Sequence, residues 1–78
     1  MTTIDSVREA VVAVALAPLP DDDQAPLFDL GIIDSFALLN LVSRLEKSLG
    51  VTIPAGDIVP RRFATIARIA GLVEARKK

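Results

Sequence analysis

Between positions 35 and 50 apolar residues recur at Leu38, Leu41, Val42, Leu45 and Leu49. That is the i, i+3, i+4, i+7 spacing of a helix with one buried face. Ser35 stands where an N-cap belongs, and Gly50 stands where a left-handed residue stops a helix. A helix with so definite a stripe must bury it, and a chain of 78 residues has only other short segments to bury it against. The spacing of Ile4, Val7, Val11 and Val14 predicts a first helix, capped by Thr2 or Thr3, with Ser6 and Glu9 as a capping-box pair for a later start. Its β-branched valines lower helix propensity, so packing must hold it. Pro18 and Pro20 end it. Ile66, Ile69, Ala70 and Val73 predict a last helix capped by Thr65, with Arg76, Lys77 and Lys78 at the negative end of its dipole. Residues 51–54 read as an extended link, and Asp57-Ile58-Val59 as one helical turn before Pro60.

Residues 17–34 form a loop too long to be structureless in a compact domain. Its apolar residues Leu27, Phe28, Leu30, Ile32 and Ile33 are expected to fold back over the helices, with Gly31 allowing a sharp or left-handed turn. The expected fold is therefore all-α: a single domain over residues 1–78, built as a small four-helix bundle. It has three main helices, a short third helix, and a long loop between helices 1 and 2. The expected core is Val7, Val11, Leu38, Val42, Leu45, Leu49, Ile53, Ile66, Ile69 and Val73.

Composition removes most kinds of chemistry. The chain has no cysteine and no histidine, so it has no disulfide, no thiolate metal site, and neither the commonest general base nor the commonest metal ligand. It has no Gly-rich phosphate loop. A non-catalytic protein without a metal is expected. No apolar run approaches the roughly 20 residues that span a bilayer, and the start is not basic as a secretory signal would be. A soluble, cytoplasmic, monomeric protein is expected. The net charge of −1 hides a segregation: residues 1–43 carry seven acids and one base, residues 44–78 three acids and eight bases. The bases are scattered and no aromatics lie between them for stacking, so a solvated basic face is the reading, not nucleic-acid binding.

The stretch Leu27-Phe28-Asp29-Leu30-Gly31-Ile32-Ile33-Asp34-Ser35-Phe36 resembles the acyl carrier protein family, including its peptidyl, aminoacyl and D-alanyl carriers. In that family a Gly, two hydrophobic or small residues and an Asp-Ser-hydrophobic triplet open the second helix. Leu45-Glu46 through Leu49-Gly50-Val51-Thr52-Ile53-Pro54 is similar to the end of that helix and the link beyond it. Asp57-Ile58-Val59-Pro60 and Phe63-Ala64-Thr65-Ile66 are similar to the third helix and the start of the fourth. The resemblance covers nearly the whole chain. It implies that Ser35 carries a covalent 4′-phosphopantetheine taken from coenzyme A, on which an acyl or aminoacyl group rides as a thioester through a biosynthetic pathway. It also implies that Asp34 meets a basic group or metal ion on the phosphopantetheinyl transferase. The other implied partners are an acyl- or aminoacyl-activating enzyme and a downstream acyltransferase or synthase. Physical chemistry agrees: orphan N–H groups and the positive dipole end at a helix N-terminus favour a phosphodiester there.

Taken alone, a serine at the head of an apolar helix is simply an N-cap, and Asp34 a dipole-stabilising acid. The alternative function is accordingly an unmodified helical interaction module of the same fold. Within the family the chain departs from the fatty-acid synthase carriers, whose second helix is rich in acids. Here that helix holds Glu46 against Arg44 and Lys47, and Arg61-Arg62 adds positive charge beyond it. Gly31-Ile32-Ile33-Asp34 is closer to D-alanyl and other stand-alone aminoacyl or pathway-specific carriers. Partner recognition is expected at Asp34, Phe36, Leu39, Ile32 and Ile33, and to be mainly hydrophobic.

Overall fold

The computed structural model describes residues 2–76. Three α-helices follow in order, α1 (Thr3–Val14), α2 (Ser35–Leu49) and α3 (Ile66–Arg76). Two 3₁₀ turns, Ala55–Asp57 and Pro60–Phe63, lie between α2 and α3, and the described residues contain no strand. α1 packs against both α2 and α3, and the second 3₁₀ turn closes the gap between α2 and α3.

Helix α1 begins where threonine closes a capping box. Asp5 N–H donates to Thr2 Oγ1 at 3.1 Å, and Thr2 N–H donates to Asp5 Oδ2 at 3.4 Å. Ser6 and Glu9 therefore lie inside the helix and do not start it. The helix ends before the prolines, because Leu16 N–H turns away to the carbonyl of Ile32 at 2.8 Å. Val7, Ala10 and Val11 are buried, whereas Ile4, on the edge of the stripe, is at the surface.

Helix α2 buries Ala37, Leu38, Leu41, Val42 and Leu45, and Leu49 is half-buried in its last turn. Gly50 takes the left-handed conformation at φ +66° and returns its N–H to Glu46 O at 3.0 Å. Glu46 also turns its carboxylate back, accepting the Ile53 N–H at 2.9 Å, so the extended link after the helix is pinned to it.

The short third helix is corrected to two single turns. Pro60 has no N–H to offer the Gly56 carbonyl, so an i→i−4 ladder started after Pro54 is interrupted there. Three-residue bonds form instead: Asp57 N–H to Pro54 O at 2.9 Å, Ile58 N–H to Ala55 O at 3.1 Å and Arg62 N–H to Val59 O at 3.0 Å. Pro60, read as a stop, is the first residue of the second turn, where its fixed φ suits a helical start. That turn drives Phe63 fully into the core. Asp57 is buried and held by Arg76 at 2.5 Å and Arg62 at 3.6 Å. Arg76 is thus engaged with Asp57 at the end of α3; Lys77 and Lys78 lie outside the described residues. Thr65 caps α3, its Oγ1 accepting the Arg68 N–H at 3.1 Å.

Candidate functional site

The site is built by the loop between α1 and α2, which is anchored at three places. Arg8 of α1 donates to Asp23 Oδ1 at 2.7 Å and to Pro20 O at 2.5 Å. Asp23 in turn offers its carbonyl to Ala67 N–H of α3 at 3.0 Å. Nearer the site, Leu27 donates its N–H to Ala64 O at 2.8 Å, while its own carbonyl accepts from Ile32 N–H at 2.9 Å and Ile33 N–H at 3.3 Å. Gly31, at φ +70°, makes the reversal that closes this ring, a backbone state that side chains disfavour. The ring turns Leu27, Ile32 and Ile33 into the core and leaves Leu30 at the surface.

From that rigid base Asp34 emerges extended and caps α2. Its Oδ1 accepts the Ala37 N–H at 2.8 Å, and its carbonyl accepts the first helical N–H, from Leu38, at 2.8 Å. The cap is therefore Asp34, and Ser35, expected to cap, is the first helical residue instead. The one-residue shift matters chemically. A capping hydroxyl would be turned onto the backbone of its own helix, whereas Ser35 is exposed and its hydroxyl makes no hydrogen bond among the described residues. The N–H groups of Ser35 and Phe36 remain without partners inside the helix. An oxygen nucleophile in solvent, beside two open N–H donors and the positive end of a 15-residue helix, fits a phosphodiester on Ser35 Oγ.

The surroundings divide the expected recognition residues. Phe36 is 80% exposed and Leu39 60% exposed, and they follow Ser35 by one and four positions, the latter about one turn on. Ile32 and Ile33 are only 1% exposed each, so their expected place on a partner surface is corrected: the Leu27 carbonyl holds their backbone so that both side chains point into the core. Two exposed residues that sequence reasoning did not assign to the site flank it instead. Leu30 lies five residues before Ser35, and Leu16 is tied by its backbone to Ile32. Leu16 carries no periodic signal by which sequence alone could have placed it there. Among the acids of α2 only Glu46 could have met a basic partner, and its carboxylate is engaged with Ile53 N–H.

Residues 5–73 match the family described as the phosphopantetheine attachment site. Among curated proteins, the chain is 41% identical over 56 residues to the "Probable acyl carrier protein PigG" of a Serratia strain, covering 72% of this chain and 64% of that protein. It is 31% identical over 77 residues to D-alanyl carrier protein 1 of Lactiplantibacillus plantarum, covering 92% of this chain and 95% of that one. D-alanyl carrier protein 2 of the same organism is 31% identical over 75 residues, covering 90% and 92%. No solved structure gives a significant match.

Proposed function

The chain belongs to the family of proteins bearing a phosphopantetheine attachment site, and on that premise we propose that Ser35 is the residue esterified and that the protein carries an acyl or aminoacyl group for a biosynthetic pathway. It is a carrier and not an enzyme, as are the relatives it resembles by name. The observation that carries the assignment to Ser35 is the exposed, uncommitted hydroxyl at the first position of α2, held by the Asp34 cap. Bound 4′-phosphopantetheine supplies a terminal thiol, which the cysteine-free polypeptide lacks. The protein's own part is to hold Ser35 Oγ open to a transferase and to keep α2 rigid behind it. Attachment forms the bond from Ser35 Oγ to the pantetheine-bearing phosphorus of coenzyme A and breaks the pyrophosphate link. Adenosine 3′,5′-bisphosphate leaves, and the serine proton passes to the transferase.

The partners follow from the rim of the site. Phe36 and Leu39 offer apolar contact, and α2 itself has no outward carboxylate, which supports docking that is mainly apolar. The D-alanyl carriers among its relatives favour a small aminoacyl cargo. Incubation with coenzyme A and a promiscuous phosphopantetheinyl transferase should add one phosphopantetheine to the wild type and none to Ser35→Ala, read by intact mass. Modification of Ser6, Ser43 or Ser48 in the mutant would overturn the assignment.

A further inference from the structure

Beside α3, three arginines line one open depression of about 420 Å³: Arg62 from the second 3₁₀ turn, and Arg68 and Arg76 from the helix. Its floor is Gly71, Leu72 and Ala75. Asp57 is the one carboxylate among the described residues paired with these arginines; it is buried, and it binds Arg76 and Arg62. Arg68 forms no ion pair among the described residues. The other acid of α3, Glu74, reaches across to Thr3 of α1. The depression therefore keeps an excess of positive charge facing solvent.

Gly71 adds an independent observation. Glycine in the middle of a helix is destabilising relative to alanine, so a packing reason for it is expected. There is none: its φ is ordinary, and a Cβ at this position would meet nothing within 4 Å. The fold tolerates a side chain here, yet the floor between the arginines is left bare.

We propose that this arginine-walled trough on α3 is a second docking surface, which receives an acidic peptide segment of a partner protein. Arg68 and Arg76 are eight positions apart, about 12 Å along a helix. An extended chain covers that in about four residues, so carboxylates spaced three to four residues apart would meet both guanidinium forks. The trough is too open to strip water from a small ion, which favours a segment that makes several weak contacts at once. Among the described residues the large exposed apolar side chains lie on α1, its loop and α2 and none on α3, which argues against a lipid surface. The only aromatic nearby, Phe63, is buried and cannot stack a base. Because α1 and α3 run antiparallel, with Thr3 beside Glu74, the Arg76 end lies at the pole opposite Ser35. A partner held there leaves the arm free to visit another.

The test is titration of the ¹⁵N-labelled protein, at low salt, with a hexaglutamate peptide and with a hexaglutamine control. Hexaglutamate should shift amides at positions 62, 68, 71, 72, 75 and 76, and hexaglutamine none. Arg68→Glu, which leaves the backbone cap at Thr65 and breaks no ion pair, should weaken binding at least fivefold with an unchanged melting temperature, and Gly71→Leu should block it while the fold persists. Ser35→Ala should bind as the wild type does, which separates this surface from the attachment site. Shifts centred on Arg44 and Lys47, or undiminished binding by Arg68→Glu, would overturn the proposal. So would tighter binding to phosphatidylglycerol vesicles or to single-stranded DNA than to the peptide, with the same arginines required.

Discussion

Replacing Asp34 should destabilise the protein while replacing Ser35 should not, although the two are adjacent. In Asp34→Ala the Ala37 N–H loses its 2.8 Å acceptor, and the first turn of α2 loses the negative charge beside its positive end. Loss of an N-cap costs about 0.5–2 kcal/mol, and the dipole contribution at an exposed position adds about 0.3–1 kcal/mol; about 1–2 kcal/mol in total is expected. For a domain of this size each kcal/mol corresponds to about 4–8 °C in melting temperature, so a fall of roughly 5–15 °C should follow. Ser35→Ala removes an exposed hydroxyl with no partner and places the best helix former at N1, so its stability should change by less than about 0.5 kcal/mol. Asp34→Asn keeps an acceptor of the same reach and should recover most of the loss. Urea denaturation followed by far-ultraviolet circular dichroism measures all three. If Ser35→Ala proved the more destabilising, or Asp34→Asn as damaging as Asp34→Ala, the cap would not be where the hydrogen bonds put it. The asparagine variant also separates roles: one that folds normally but is modified poorly would show the carboxylate acting on the transferase as well as on its own helix.

Leu27→Ala should cost about 2–5 kcal/mol, because this fully buried side chain belongs to the ring that positions Asp34; a loss below about 0.5 kcal/mol would mean that the loop is not packed as described. Glu46→Ala strands the buried Ile53 N–H and should cost about 1–3 kcal/mol, whereas Glu46→Gln, still an acceptor, should be nearly neutral by the same denaturation assay. Asp57→Ala should cost about 1–2 kcal/mol, discounted because both arginines are partly exposed, and should speed hydrogen exchange at residues 55–63 before the rest of the chain; uniform acceleration would argue against a local clamp. Loading by the cognate activating enzyme should weaken more with Phe36→Ala or Leu39→Ala than with changes at Arg44 or Lys47, and should vary little between low and physiological salt; a steep salt dependence would refute hydrophobic docking.

The parts of this fold legible in the sequence are those with a period. Leu38, Val42 and Leu45 announce α2, Gly50 its end, and Ile66, Ile69 and Val73 announce α3 behind Thr65. What escaped notice has no period to show. Ile32 and Ile33 are adjacent, so no pattern separates an outward from an inward side chain; the Leu27 carbonyl and the Gly31 turn decide. Phe63 sits in a turn too short to display a face, and both turns after Pro54 fall below the length at which apolar spacing can be read. At the site, the family pattern picks out Asp34 and Ser35 together but does not say which of them is the cap. That depends on where the extended chain becomes helical, a matter of one residue.

The loop that delivers Ser35 is fastened in part to chain that comes later. Leu27 N–H needs the carbonyl of Ala64, and the carbonyl of Asp23 needs the N–H of Ala67. Thr3 likewise waits for Glu74, 71 positions away. Such distant pairings carry a large loop-closure entropy before they return any stabilisation, so this small helical protein should fold more slowly than a bundle joined by tight turns. During synthesis, a nascent chain that has completed α2 holds the serine and its helix but lacks the residues that secure the approach to them. The approach to Ser35 is therefore completed only when α3 has emerged and docked.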